Sequence, residues 1–251
     1  MCLILFAKNY HPGYKFIFAA NRDEFFDRPA KFMAETQTGI YSGIDLKEGG
    51  RWFGIADDGK IAAITNFRDF SSIKEDARSR GLILNAFFDS GYKIQDYLEI
   101  LVKEREIYNG YNLLIGSVAY DLYYYSNRKK NFEKVSDGLH GLSNAYLDTD
   151  WPKVVKGKVG LDKIISEKFC REDLFQLLSD KTEAPDELLP DTGVGNELEK
   201  KLSPIFISSD KYGTRCSTVL TVDNKNNVEL EERSFNNKGE TINISGFKFR
   251  I

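Results

Sequence analysis

Cys2 is the residue of this chain whose position offers the most chemistry. Removal of the initiator Met1 would place its thiol on the first residue, beside a free α-amino group. An unperturbed α-amine titrates near pH ~8 and a thiol near ~8.5, so both exchange protons around neutrality. A single residue can then act as nucleophile and general base together, as acyl transfer through a covalent intermediate requires. The alternative is a small apolar side chain packed in a buried strand, the common fate of an unpaired cysteine. Position alone leaves both readings open.

The tetrapeptide Asn21-Arg22-Asp23-Glu24 ends the second apolar run of the chain. Side chains alternate across a strand, so Asn21 and Asp23 share one face while Arg22 and Glu24 share the other. If Cys2 lies on the first face, Asp23 can hold the α-amine; otherwise the tetrapeptide is a polar strand end with Arg22 paired to Glu24 or Asp27. Metal binding by Asp23 and Glu24 is disfavoured, because adjacent strand residues diverge and no histidine stands near. Two more asparagines, Asn66 and Asn144, end apolar segments. Each is either a turn former or a carboxamide donor to a developing oxyanion. Arg215, ahead of the apolar run 218–222, could depress a thiolate or bind a substrate carboxylate, or could be one more surface arginine.

These residues must be held by sheets. The run 2–8 predicts a fully buried strand, and 15–21 its hairpin partner across the turn His11-Pro12-Gly13. Segments 51–56 and 60–65 flank Asp57-Asp58-Gly59, a tight hairpin signal. Further pairs are expected at 112–118 with 122–125 and at 218–222 with 228–235. Helical spacing marks 80–88 and 94–105; Asp150-Trp151-Pro152 opens a third helix towards 168, with Gly157 and Gly160 as weak points, and 172–178 is a fourth. Residues 180–196 read as an acidic, turn-rich loop. Hairpins interleaved with helix pairs imply an α+β protein, an α/β/β/α four-layer sandwich of antiparallel sheets, in one domain over residues 1–251.

Composition narrows the function classes. The 35 Lys and Arg against 38 Asp and Glu give a net charge of -3, so there is no electrostatic footprint for nucleic acid. Three cysteines, Cys2, Cys170 and Cys216, are an odd and sparse set, the pattern of a reducing compartment rather than a disulfide framework. No role is assigned to Cys170 or Cys216. With His11 and His140 the only histidines, no zinc-type spacing occurs and no metal is expected. The N-terminal apolar run is too short to span a bilayer, and a cytoplasmic location is expected.

The order of the motifs adds what none supplies alone. Met1-Cys2, the stretch 20–29, Gly49-Gly50-Arg51-Trp52-Phe53-Gly54, Thr65-Asn66-Phe67, Ser79-Arg80-Gly81, Tyr108 to Leu114, 139–144 and Tyr212-Gly213-Thr214-Arg215 together resemble the NRDE family, also called the transport-and-Golgi-organisation protein 2 family. The same skeleton resembles, more distantly, the choloylglycine hydrolase and penicillin V acylase group of N-terminal-nucleophile amidases. The resemblance implies that fold, with Cys2 as nucleophile, Asp23 as partner of the α-amine, Asn66 and Asn144 as oxyanion contributors and Arg215 as the cation beside the thiolate. It also implies a small acylated substrate, an amide or thioester, hydrolysed without a cofactor. Those amidases carry an arginine three residues before the aspartate, where this chain has Ala20, so Arg22 is expected on the face away from the site. The family's eukaryotic members imply a rival role, a carrier of haem or of acyl-CoA and other lipids, with Cys2 or His11 as iron ligand. Trp52 is expected in the core or on a cleft wall.

Overall fold

A computed structural model describes residues 2–251; the expected removal of Met1 lies outside the described residues. The described residues form thirteen strands: β1 Cys2–His11, β2 Tyr14–Phe25, β3 Ala30–Glu35, β4 Ile40–Asp45, β5 Phe53–Ala56, β6 Lys60–Asn66, β7 Tyr111–Ser117, β8 Leu122–Ser126, β9 Glu133–Lys134, β10 Gly138–Leu142, β11 Tyr212–Asp223, β12 Asn227–Phe235 and β13 Thr241–Arg250. The α-helices are α1 Gly81–Asp89, α2 Ile94–Lys103, α3 Pro152–Ile165, α4 Arg171–Leu178 and α5 Asn196–Lys201. The protein is α+β, with two antiparallel sheets and two compact units.

The first unit comprises residues 1–27 and 137–249. Its sheet runs β10-β1-β2-β11-β12-β13, the β1–β2 hairpin beside the β11-β12-β13 meander, with β10 added beside β1. One face of this sheet is apolar through Leu3, Leu5, Ala7, Ile17, Ala19 and Val219. It packs against Val154, Leu161 and Ile165 of α3 and Leu174, Phe175 and Leu178 of α4. Each such buried aliphatic side chain contributes about 1.5–3 kcal/mol. Gly157, expected to weaken α3, instead lets the helix approach β1: a Cβ there would stand 2.7 Å from Leu5 Cδ1.

The second unit comprises residues 28–136 with 250–251. Its seven strands pair in chain order, β3 through β9, a meander that needs no crossover. Helices α1 and α2 lay Ile83, Leu84, Phe87, Tyr97, Leu98 and Leu101 on the apolar face of β6, β7 and β8. Three of the sequence motifs meet here. Arg80 donates to the Gly110 carbonyl at 2.9 Å, and the same carbonyl accepts from the Phe67 N–H at 2.9 Å. Gly50 abuts Gly81, and the Arg51 N–H donates to the Gly81 carbonyl at 3.1 Å. The Trp52 ring lies against Gly43 of β4. Strands β3, β4, β9 and β13 were not anticipated: β9 has two residues, β3 and β13 lack a dense apolar face, and β4 breaks its apolar run with Ser42, Gly43 and Asp45.

A Cβ on Gly50 would stand 2.6 Å from the Gly81 backbone, which cannot rotate away. Gly50→Ala is therefore expected to cost about 1–3 kcal/mol of stability through overpacking. Urea unfolding measures it, and an unchanged midpoint would contradict the close approach.

Candidate active site

The β1–β2 hairpin decides what surrounds Cys2. Its register sets Cys2 opposite Arg22 and Leu3 opposite Asn21. Directly opposed residues share a face, so Arg22, and not Asp23, lies on the face of the Cys2 side chain. The face expected for Arg22 is corrected, because it rested on alternation without knowledge of the register, and Asp23 takes the face away from the thiol; the α-amine of Cys2, a main-chain group, belongs to neither face. On the far side of β2, Arg22 is opposite Cys216, so Cys2, Arg22 and Cys216 stand side by side across three strands. Arg22 is buried and stands 3.9 Å from Glu24.

Asn21 and Asp23 point to the helix-covered face. Asn21 Nδ2 donates to the Leu178 and Ile205 carbonyls, both at 2.8 Å, and its Oδ1 accepts from Ser217 Oγ at 2.6 Å. That is a structural tie between sheet and helix layer. Asp23 is 2 % exposed, and its Oδ1 accepts from Thr214 Oγ1 at 2.7 Å. Burial pushes the Asp23 carboxyl up, against the opposing pull of Lys153, the Thr214 hydroxyl and Arg22. Its side chain is turned from the Cys2 thiol, but its backbone N–H hydrogen-bonds to the sulfur.

Burial also pushes the Cys2 thiol up; the Asp23 carboxylate adds to this, while the Asp23 N–H and Arg22 act the other way. Cys216, fully buried with Glu232 beside it, is raised further by the same cause. The sulfur of Cys2 thus rests protonated near neutral pH, and a base is needed for it to attack.

Asn144 is fully buried and comes to the Cys2 main chain through Ser143. The Ser143 hydroxyl donates to the Cys2 carbonyl at 2.9 Å and lies 3.2 Å from Asn144 Oδ1. That contact turns the Asn144 NH2 away from Ser143, as a donor. The loop carrying both residues is clamped by Asp148. Asp148 Oδ1 accepts from the Gly141 N–H at 2.9 Å and from Lys158 Nζ at 2.7 Å, and Oδ2 lies 2.7 Å from His140 Nδ1. The His140 ring stacks on Phe6 of β1 with centroids 5.0 Å apart.

Arg215 is placed differently from its expected role. It sits at a bulge in β11, donates to the Phe25 carbonyl at 2.8 Å and covers the Phe26 ring at 5.2 Å. It braces the exit of β2, whereas Arg22 is the arginine directly opposite Cys2. Asn66 closes β6 opposite Tyr111 in the second unit. His11 Nδ1 accepts from the Gly13 N–H at 2.9 Å, a turn contact. Among the described residues, no group of three or more His, Cys, Asp or Glu could hold a metal, and no helix is long and apolar enough to cross a membrane.

Sequence reasoning missed Ser143, Thr214, the Asp148 clamp and Lys153. The last had a visible signal: Lys153 stands in one i,i+4 row with Gly157, Leu161 and Ile165, the buried stripe of α3.

The fold these elements make is that of the N-terminal-nucleophile hydrolases. The structure is similar to a conjugated bile acid hydrolase from Clostridium perfringens, with a TM-score of 0.54 at 11% identity over 98% of this chain and 92% of that one. It is also similar to a penicillin V acylase from Agrobacterium tumefaciens, with a TM-score of 0.50 at 11% identity over 100% and 86%. Within that fold, the chain belongs to the family described as Transport and Golgi organisation 2, which it matches over residues 1–237. A Mus musculus protein, Transport and Golgi organization 2 homolog, is 33% identical over 95% of this chain and 94% of its own length. The Drosophila melanogaster Transport and Golgi organization protein 2 is 30% identical over 93% and 92%.

Burial alone would raise the Asp148 carboxyl, but the bonds from His140, Lys158 and Gly141 hold it down, to about 2. The folded value lies below the unfolded one of ~3.9, so this stabilisation is present above about pH 5 and is lost as pH falls towards 2. Asp148→Asn should flatten that part of the acid-unfolding curve. An equally steep decline in the variant would contradict the clamp.

Proposed function

We propose that the protein is a hydrolase of a small acylated amide or thioester, working through an acyl-enzyme on Cys2. The observation that carries this reading is a resting thiol at the start of β1 whose carbonyl is held by Ser143, next to Asn144, and whose sulfur accepts from the N–H of Asp23. Because the thiol rests protonated, attack needs a base at the sulfur. With Met1 removed, the α-amine of Cys2 is the base within the same residue.

In the proposed cycle the amine takes the thiol proton as Sγ bonds to the carbonyl carbon. The tetrahedral oxyanion is met by the Asn144 carboxamide. Collapse expels the amine or thiol leaving group, which takes the proton from the α-ammonium, and leaves a thioester on Cys2. Water, deprotonated by the same amine, then attacks the thioester and releases the acid. Arg22, across from Cys2, supplies positive charge on the thiol's face, and Asp23 orients the α-amine. The two structural relatives are, by name, a hydrolase of conjugated bile acid and an acylase of penicillin V. This supports an acyl-transfer reading for the present chain, without naming its substrate.

Turnover over a panel of N-acyl amides and acyl thioesters tests the proposal. Cys2→Ala should abolish it, and Asn144→Ala should lower it by roughly 10²–10³ through loss of one oxyanion donor. Undiminished hydrolysis by Cys2→Ala would overturn the reading and leave the carrier role as the one to pursue.

A further inference from the structure

A lysine in the first turn of α3 is placed against elementary electrostatics. Lys153 is 3 % exposed, and the helix N-terminus carries partial positive charge that repels an ammonium. Burying a charge is costly unless an opposite charge meets it. The helix-covered face of the sheet holds such a charge, because the register turns Asp23 to that side beside Thr214. Asp23 is equally buried, and the Lys153 charge pulls its carboxyl down against that burial. The other charges acting on Asp23 are the chain's α-amino group, Arg22 on the opposite face of β2, and any charge on the Cys2 thiol. On the other side of Lys153, a cavity wall brings in Asp150, Lys156 and Glu183.

We propose that Lys153 is the counter-ion of Asp23 and, through it, a positioning residue for Cys2. The ammonium keeps Asp23 a carboxylate inside the layer between sheet and helices. A carboxylate there can orient an α-ammonium on Cys2, whereas a protonated carboxyl would not attract it. The word positioning rests on the hydrolase reading; the ion pair itself does not.

The test is a double-mutant cycle on the full chain: wild type, Lys153→Met, Asp23→Asn and both together. Each single variant should lower the denaturant midpoint, because each strands a buried group, and the double should lose clearly less than the sum. Additive losses would overturn the pairing, as would coupling of Lys153→Met to Asp150→Asn in place of Asp23→Asn. If Lys153→Met and the double both fail to fold while Asp23→Asn folds, the pairing is likewise overturned.

The second readout is the pH dependence of Cys2 alkylation by iodoacetamide, followed by peptide mapping. Neutralising Asp23 removes a negative charge beside the sulfur. Lys153→Met and Asp23→Asn should therefore both move the midpoint to lower pH, by about one unit, and the double no further. A midpoint that stays put or rises in Lys153→Met would overturn the proposal, since a purely structural lysine alters rates without this matched shift. If no neutral variant folds, Lys153→Arg keeps the charge and should retain the wild-type midpoint; a displaced one would count against the pair. Coupling in the cycle together with full turnover by Cys2→Ala would leave the ion pair standing and the hydrolase reading fallen.

Discussion

Strand β1 leaves its hairpin with Cys2 opposite Arg22, and a slip of one residue would turn every side chain of β1 to the other face. Leu3, Leu5 and Ala7 would then leave the core under α3 and α4, so the register is enforced by the whole apolar face and not by the site. The same constraint distributes the Asn21-Arg22-Asp23-Glu24 motif. Asn21 secures the helix layer, Arg22 faces the thiol with Glu24 at its side, and Asp23 is buried beneath the sheet. Four adjacent residues thus serve two faces of one strand.

Around that register, charge is controlled mainly by exclusion of water. Desolvation is the largest influence on Cys2, Asp23 and Cys216 alike, and in each it favours the neutral form. A site built this way keeps its sulfur unreactive until a base removes the proton. It also makes every compensating charge consequential, because interactions are weakly screened in the interior. Asp148 shows the opposite outcome: three donors outweigh its burial, and the loop bearing Ser143 and Asn144 is anchored by a carboxylate that stays ionised.

Much of this was legible from residue types. The apolar runs, the Asp-Gly turn and Pro152 in a first helical turn locate β1, β2, β5, β6 and α3 closely, although the N-cap is Trp151 and not Asp150. The α+β class followed from hairpins interleaved with helices and the family from motif order, and both stand. Register was not legible, because alternation says which residues share a face but not which face meets which neighbour; that is why Arg22 and Asp23 exchange places. Arg215 was misplaced for a related reason, since the bulge between Thr214 and Cys216 cannot be read from a strand pattern. Lys153 was hidden by the habit of reading lysine as solvent-facing, although its helical row is otherwise buried.

The account depends on Cys2 being a free N-terminal nucleophile, and an intact mass of the natively expressed protein, before and after brief iodoacetamide treatment, tests this directly. The account predicts a mass lacking Met1 and prompt modification that maps to Cys2 and disappears in Cys2→Ala. A retained Met1, or a Cys2 that stays unmodified while the exposed Cys170 reacts, would contradict it.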